Sequence, residues 1–170
     1  MQLESPPLPA PAARRRTTLM VAALIGLLWG ALWPQAAVAD RHGRIAAPGG
    51  VALGGYDPVA YFEAGRAQPG DPTIALRWRG VRWHFASAAH RSAFEANPKA
   101  YLPQFGGHCP VSVARGTPRP ADPRQWTIVE GRLYVAAEAA ALARFKTQTE
   151  WLRQQATAEW AGPSRLAGGD

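Results

Sequence analysis

Cysteine is almost missing: a chain of 170 residues holds one, Cys109. A single thiol excludes an internal disulfide framework and any zinc site built from several cysteines. Lysine is scarce too, with only Lys99 and Lys146, so the 19 basic residues that outnumber 12 acidic ones are mostly arginine. The arginines past the first turn of sequence are scattered among acids and prolines, and no stretch alternates basic with aromatic residues. That pattern argues against nucleic acid as a partner and for a solvated basic surface. No apolar run reaches the ~20 residues of a confident spanning helix. A glycine-rich phosphate loop, a nucleophile elbow and a helix with paired histidines are also missing. With 47% hydrophobic and 18% charged residues the composition is that of a globular chain, and the length suits one domain with extensions.

What is present starts with a basic cluster, Arg14-Arg15-Arg16, ahead of an uncharged apolar run over 19–33. Pro34 ends that run, and Ala37-Val38-Ala39 offers the small residues of a cleavage site. This order predicts a secretory signal peptide over 1–39, cut after Ala39, and an exported protein, periplasmic in a Gram-negative source. Membrane contact is then expected only through this segment where it stays uncut. Residues 40–50 read as a flexible leader, 51–161 as the folded domain and 162–170 as a flexible tail. Neither an internal repeat nor a low-complexity block is read in the domain.

Within it, Asp57-Pro58 has the chemistry of a helix start, since aspartate caps free N–H groups and proline suits the first helical position. A short helix is expected from there to about Gly65. Residues 74–78 and 81–85 alternate with period two around Arg79-Gly80, which predicts a hairpin. Ile74, Leu76, Trp78, Val81, Trp83 and Phe85 take its core side, and Arg77, Arg82 and His84 its wetter face. Ser87 caps a helix that Pro98 stops near Asn97. A second hairpin pairs 126–129 with 132–135 around Glu130-Gly131. Leu142, Phe145, Thr149, Leu152, Ala156 and Trp160 recur at helical period, predicting one long helix over about 137–160. The sum is a small α+β domain with two antiparallel β-hairpins, a short helix after each N-terminal motif and a long C-terminal helix. Trp78, Trp83, Trp126, Trp151 and Trp160 are expected to fill its core.

The segment Pro103-Gln104-Phe105-Gly106-Gly107-His108-Cys109-Pro110 is the densest in chemistry. Two glycines permit a sharp turn that presents an imidazole and a thiol side by side. These donors suit copper, zinc or haem iron, with His90, His84 and His42 as further candidates. Neighbours on extended backbone point to opposite sides, so His108 and Cys109 share an ion only on an irregular turn. The competing reading makes Cys109 a small buried hydrophobe and His84 an exposed strand residue. A thiol enzyme would need a base beside Cys109 and an orienting acid, Asp57 or Asp122. Both acids adjoin prolines and read better as caps or turns, so no catalytic residue is assigned.

Several motifs occur together in order: residues 51–62 (VALGGYDPVAYF), Trp83-His84-Phe85-Ala86-Ser87, residues 94–101 (FEANPKAY), Gln104-Phe105-Gly106-Gly107-His108-Cys109 and residues 126–134 (WTIVEGRLY). Over 51–160 the chain resembles exported YHS-domain proteins. Short YHS modules occur beside copper-transporting ATPases and in multicomponent hydroxylases, and often carry two cysteines where this chain keeps one. The resemblance implies a domain that binds a transition metal or a metal-bearing partner through Cys109. His108, where relatives commonly have an aromatic residue, and His90 are further candidate ligands on their donor chemistry and not on the resemblance. The partner would be a metal-handling or membrane-associated protein. The alternative is a non-catalytic interaction module. There Cys109 is core, and the turns at Tyr56-Asp57 and Gly106-Gly107 shape a docking surface.

Overall fold

The computed structural model describes residues 45–162. The expected signal peptide, the first residues of the leader and the tail from 163 lie outside them. The chain order is a 3-10 turn (Ala52–Gly55), α1 (Ala60–Glu63), β1 (Asp71–Trp78), β2 (Val81–Phe85), α2 (Ala88–Ala96) and α3 (Pro98–Tyr101). It continues with a 3-10 turn (Gln104–Gly107), α4 (Pro110–Val113), β3 (Trp126–Val129), β4 (Arg132–Val135), α5 (Ala139–Thr147) and α6 (Thr149–Ala161). Each strand pair is antiparallel and forms its own two-stranded sheet. The fold is a small α+β domain with helical C-terminal segments.

Local chemistry sets these elements. The Ser87 hydroxyl accepts the His90 backbone N–H at 3.1 Å, starting α2 as a side-chain cap. Pro98 ends that helix and also opens α3, where its missing N–H is harmless. The C-terminal helix is two helices rather than one. Gln148 leaves helical geometry (φ −126°, ψ 34°), and the Thr149 hydroxyl donates back to the Phe145 carbonyl at 2.8 Å. Phe145 on α5 and Leu152 and Ala156 on α6 are buried on either side of the break.

The two halves are copies of one plan, a repeat that the reading of the sequence misses although a Gly-Gly-x-x-Pro-Val run recurs at 54–59 and 106–111. Leu53, Gly54 and Gly55 have φ of 50°, 58° and 86°; Phe105, Gly106 and Gly107 have 52°, 60° and 84°. Tyr56 bridges to Pro69 and His108 to Pro120, while Val51 runs beside Arg82 and Pro103 beside Leu133. The Asp57 N–H donates to the Gln68 carbonyl and the Cys109 N–H to that of Arg119. Hairpin turns match at Arg79-Gly80 and Glu130-Gly131, all four residues at positive φ. The ring pair Trp83–Phe94 has its counterpart in Tyr134–Phe145. The sequence keeps parts of the repeat: Gly54-Gly55 and Pro58-Val59 against Gly106-Gly107 and Pro110-Val111, Asp71-Pro72 against Asp122-Pro123, and Phe94 against Phe145. Other positions are exchanged: Tyr56-Asp57 against His108-Cys109, His90 against Ala141.

One core joins Trp83, Phe85 and Phe94 of the first copy to Leu133 and Val135 of the second. Each such fully buried side chain contributes about 1.5–3 kcal/mol. A second core holds Cys109, Val111, Tyr134, Phe145 and Leu152. Trp83 is buried, and Trp78 and Trp126 pack at the edge of the first core. Two tryptophans depart from the expected core: Trp151 is 54% exposed on α6 beside buried Leu152, and Trp160 is half-buried and lines a groove, outside both cores. The part of the leader that is described is docked rather than loose. Ile45 packs on the first core, and the Ala46 N–H donates to the Gly106 carbonyl at 2.8 Å.

Candidate functional site

In the first copy the turn at Ala52–Gly55 delivers Asp57 to the interior, where it is fully buried. Its Oδ1 accepts the Val59 N–H at 2.8 Å, opening the short helix as the sequence predicts. Its Oδ2 accepts the Ala86 N–H at 2.8 Å and lies 2.5 Å from His90 Nδ1. One carboxylate thus fastens the start of α1, the end of β2 and the first turn of α2. A buried charge persists only with such a full set of donors. The bond fixes the protonated nitrogen of a neutral His90 ring as Nδ1, which donates to the carboxylate. The other nitrogen, Nε2, lies 3.6 Å from Glu63 Oε2 at the half-exposed rim. Glu63 is the member of this cluster that sequence reading missed, because its link to His90 crosses from α1 to α2.

An imidazole oriented by a carboxylate can move protons. Here the hydrogen-bond and ion-pair partners of the His90 ring are Asp57 and Glu63, both carboxylates. The arrangement ties elements together.

In the second copy the position of Asp57 is taken by Cys109. It is 2% exposed and faces Val111, Tyr134, Ala136 and Phe145. His108 precedes it on extended backbone, so the two side chains diverge. Its Nδ1–H donates to the Phe105 carbonyl at 3.0 Å, and its ring lies 5.5 Å from that of Trp160. The three expected ligands are therefore not brought together: Cys109 enters an apolar core, His108 turns toward Trp160, and His90 engages Asp57. Among the described residues no three His, Cys, Asp or Glu side chains are grouped to hold one metal ion.

Of the residues expected to shape a docking surface, Asp57 and Gly107 are buried and Tyr56 is half-buried. Gly106 does line an open groove, with Phe105, Trp83 and Trp160 among its walls. Asp122, the other candidate orienting acid, is a turn residue. It accepts the Arg124 N–H at 2.9 Å and holds the Arg124 guanidinium, which keeps its carboxyl below the usual range. His84 departs from its expected wetter face and is buried, its Nε2 without a hydrogen-bond partner. The cause is that Val51 pairs alongside Arg82, carrying the Ala52–Gly55 turn over that face of β2.

Among the described residues no helix is long and apolar enough to cross a membrane. No family model, curated protein or solved structure matches the chain.

Proposed function

We propose that the chain is an exported, non-catalytic binding module of the YHS type, in which Cys109 is a core residue and not a ligand. The observation that supports this reading is the placement of Cys109 at 2% exposure among Val111, Tyr134 and Phe145. A thiolate there would lose its hydration without gaining a charged or hydrogen-bonded partner. Asp57 fills the same position in the first copy as a fastener of three segments, so the paired position has a structural task in both halves. The surface left for function is the groove beside Gly106 and the turns around it.

The competing reading, with copper, zinc or haem held by Cys109, requires the thiol to leave its core and meet His108, whose side chain diverges from it. Titration of the purified protein with Cu(I), Zn(II) and haem separates the two. The binding module shows no stoichiometric site that Cys109→Ala removes, and Cys109→Ala lowers stability alone. A stoichiometric site lost in Cys109→Ala overturns the reading. Export is tested by fractionation and N-terminal sequencing, with Asp40 expected as the first residue of the mature chain.

A further inference from the structure

The two copies carry opposite charges at matching places. In the second copy, Glu130 at the hairpin turn and Glu150 on α6 are both held by Arg153. Its guanidinium lies 2.8 Å from Glu130 Oε2 and 3.4 Å from Glu150 Oε2. The same guanidinium stands beside the Tyr134 hydroxyl. The matching residues of the first copy are Arg79 for Glu130, Lys99 for Glu150, Trp83 for Tyr134 and Leu102 for Arg153. Arg79 (φ 49°) and Glu130 (φ 50°) even share one unusual backbone conformation. Two anions bridged by a cation thus correspond to two cations with no bridging group among the described residues. Arg79 and Lys99 enter no ion pair among the described residues; the Arg79 guanidinium stacks 4.5 Å over the Trp78 ring instead.

Where the bridging group should be, there is a groove of about 270 Å³. Arg79, Lys99 and Leu102 border it, and Trp83, Phe105 and Trp160 give it aromatic walls. We propose that this groove binds a small organic anion. Its oxyanion head spans Arg79 and Lys99, in the place that Arg153 takes between Glu130 and Glu150, and its flat apolar body lies against Phe105 and Trp160, the half-buried aromatic walls. The volume suits a ligand of about one ring with its head group, near the lower end of small-molecule pockets. Two cations near an apolar wall favour a carboxylate or phosphate over a neutral group, and added salt weakens that preference. The site is separate from Cys109, so its failure leaves the reading of Cys109 untouched.

The test is an NMR titration of the Trp83 indole N–H, which donates to the Trp78 carbonyl, with phenyl phosphate, inorganic phosphate and neutral benzamide as probes. Phenyl phosphate is expected to shift that signal saturably and to bind at least about tenfold more tightly than either other probe, since a tenfold ratio is what one added favourable contact of ordinary strength supplies. In Arg79→Glu with Lys99→Glu, affinity for phenyl phosphate falls at least tenfold. Glu130 shows that glutamate fits the turn geometry of Arg79, and circular dichroism of the variant checks that the fold is kept. Adding Leu102→Arg rebuilds the Glu–Arg–Glu bridge of the second copy and raises the thermal midpoint above that of the double variant. The proposal is overturned by unsaturated shifts with phenyl phosphate, by equal affinity for benzamide, or by undiminished affinity in the double variant.

Discussion

Asp57 and His90 stand 2.5 Å apart in the interior of the first copy, and at the same two places the second copy has Cys109 and Ala141. Both of the latter belong to one apolar cluster. One backbone plan therefore accepts either a buried carboxylate with an imidazole partner or a thiol with a methyl group. The first solution demands that every lone pair be met; the second demands only volume.

That difference predicts unequal costs. Asp57→Ala strips the Val59 N–H, the Ala86 N–H and His90 of their common acceptor and is expected to lose about 3–5 kcal/mol of unfolding free energy. His90→Ala leaves Asp57 with two backbone donors and should lose about 1–2 kcal/mol. Because the two side chains touch, the double variant loses less than the sum, by roughly 0.5–3 kcal/mol. Urea unfolding of the four proteins measures all three values.

Cys109 is expected to resist iodoacetamide in the folded protein and to react once it is unfolded in urea. Cys109→Ser places a hydroxyl among Val111, Tyr134 and Phe145 and should cost about 1–3 kcal/mol. Cys109→Ala, which removes only a sulfur atom's packing, should cost about 1 kcal/mol. Labelling followed by mass measurement, with the same urea series, checks both statements.

Gly70 sits where β1 begins, and a Cβ there would lie 2.5 Å from the His84 carbonyl carbon and 2.6 Å from the Phe85 nitrogen. Gly70→Ala must push two backbones apart and is expected to cost about 1–3 kcal/mol or more. Gly131 has open space around it but a φ of 68°, so Gly131→Ala costs only conformational strain, about 1 kcal/mol. The thermal midpoint of Gly70→Ala should therefore fall below that of Gly131→Ala.

The hydrogen bond and positive charge of Arg153 hold the Glu130 carboxyl below the usual glutamate range. A carboxyl depressed in the folded state adds stability above its unfolded titration range, and that share is lost as pH falls through the lower folded value. An NMR titration should find Glu130 protonating below the usual glutamate range. In Arg153→Gln, Glu130 should return to the ordinary range.

Much of the frame was legible in the residues. Both hairpins, the Ser87 cap and the Asp57 helix start follow from period-two alternation and from side-chain acceptors placed ahead of free N–H groups. The divergence of His108 and Cys109 follows from extended backbone geometry. Long-range pairings were not legible. His90 meets Asp57, and Arg153 meets Glu130, only after the chain has folded back, and no local spacing encodes either contact. His84 alternates correctly along its strand, yet the turn at Ala52–Gly55 covers the face that alternation assigns to water. The break at Gln148 was hidden because the apolar stripe continues through it. The repeat leaves a trace in the sequence, Gly-Gly-x-x-Pro-Val at 54–59 and again at 106–111, but most other paired positions differ, and the matching φ angles make it plain.

The central claim, that Cys109 is part of the core of a binding module, is tested most directly by native mass spectrometry of the protein purified from its own cells, with thiol labelling before and after denaturation. The account predicts the mass of the polypeptide without a metal ion or haem, and one thiol that is labelled only after unfolding. A stoichiometric metal or haem that disappears in Cys109→Ala, or a thiol labelled at once in the folded protein, would contradict it.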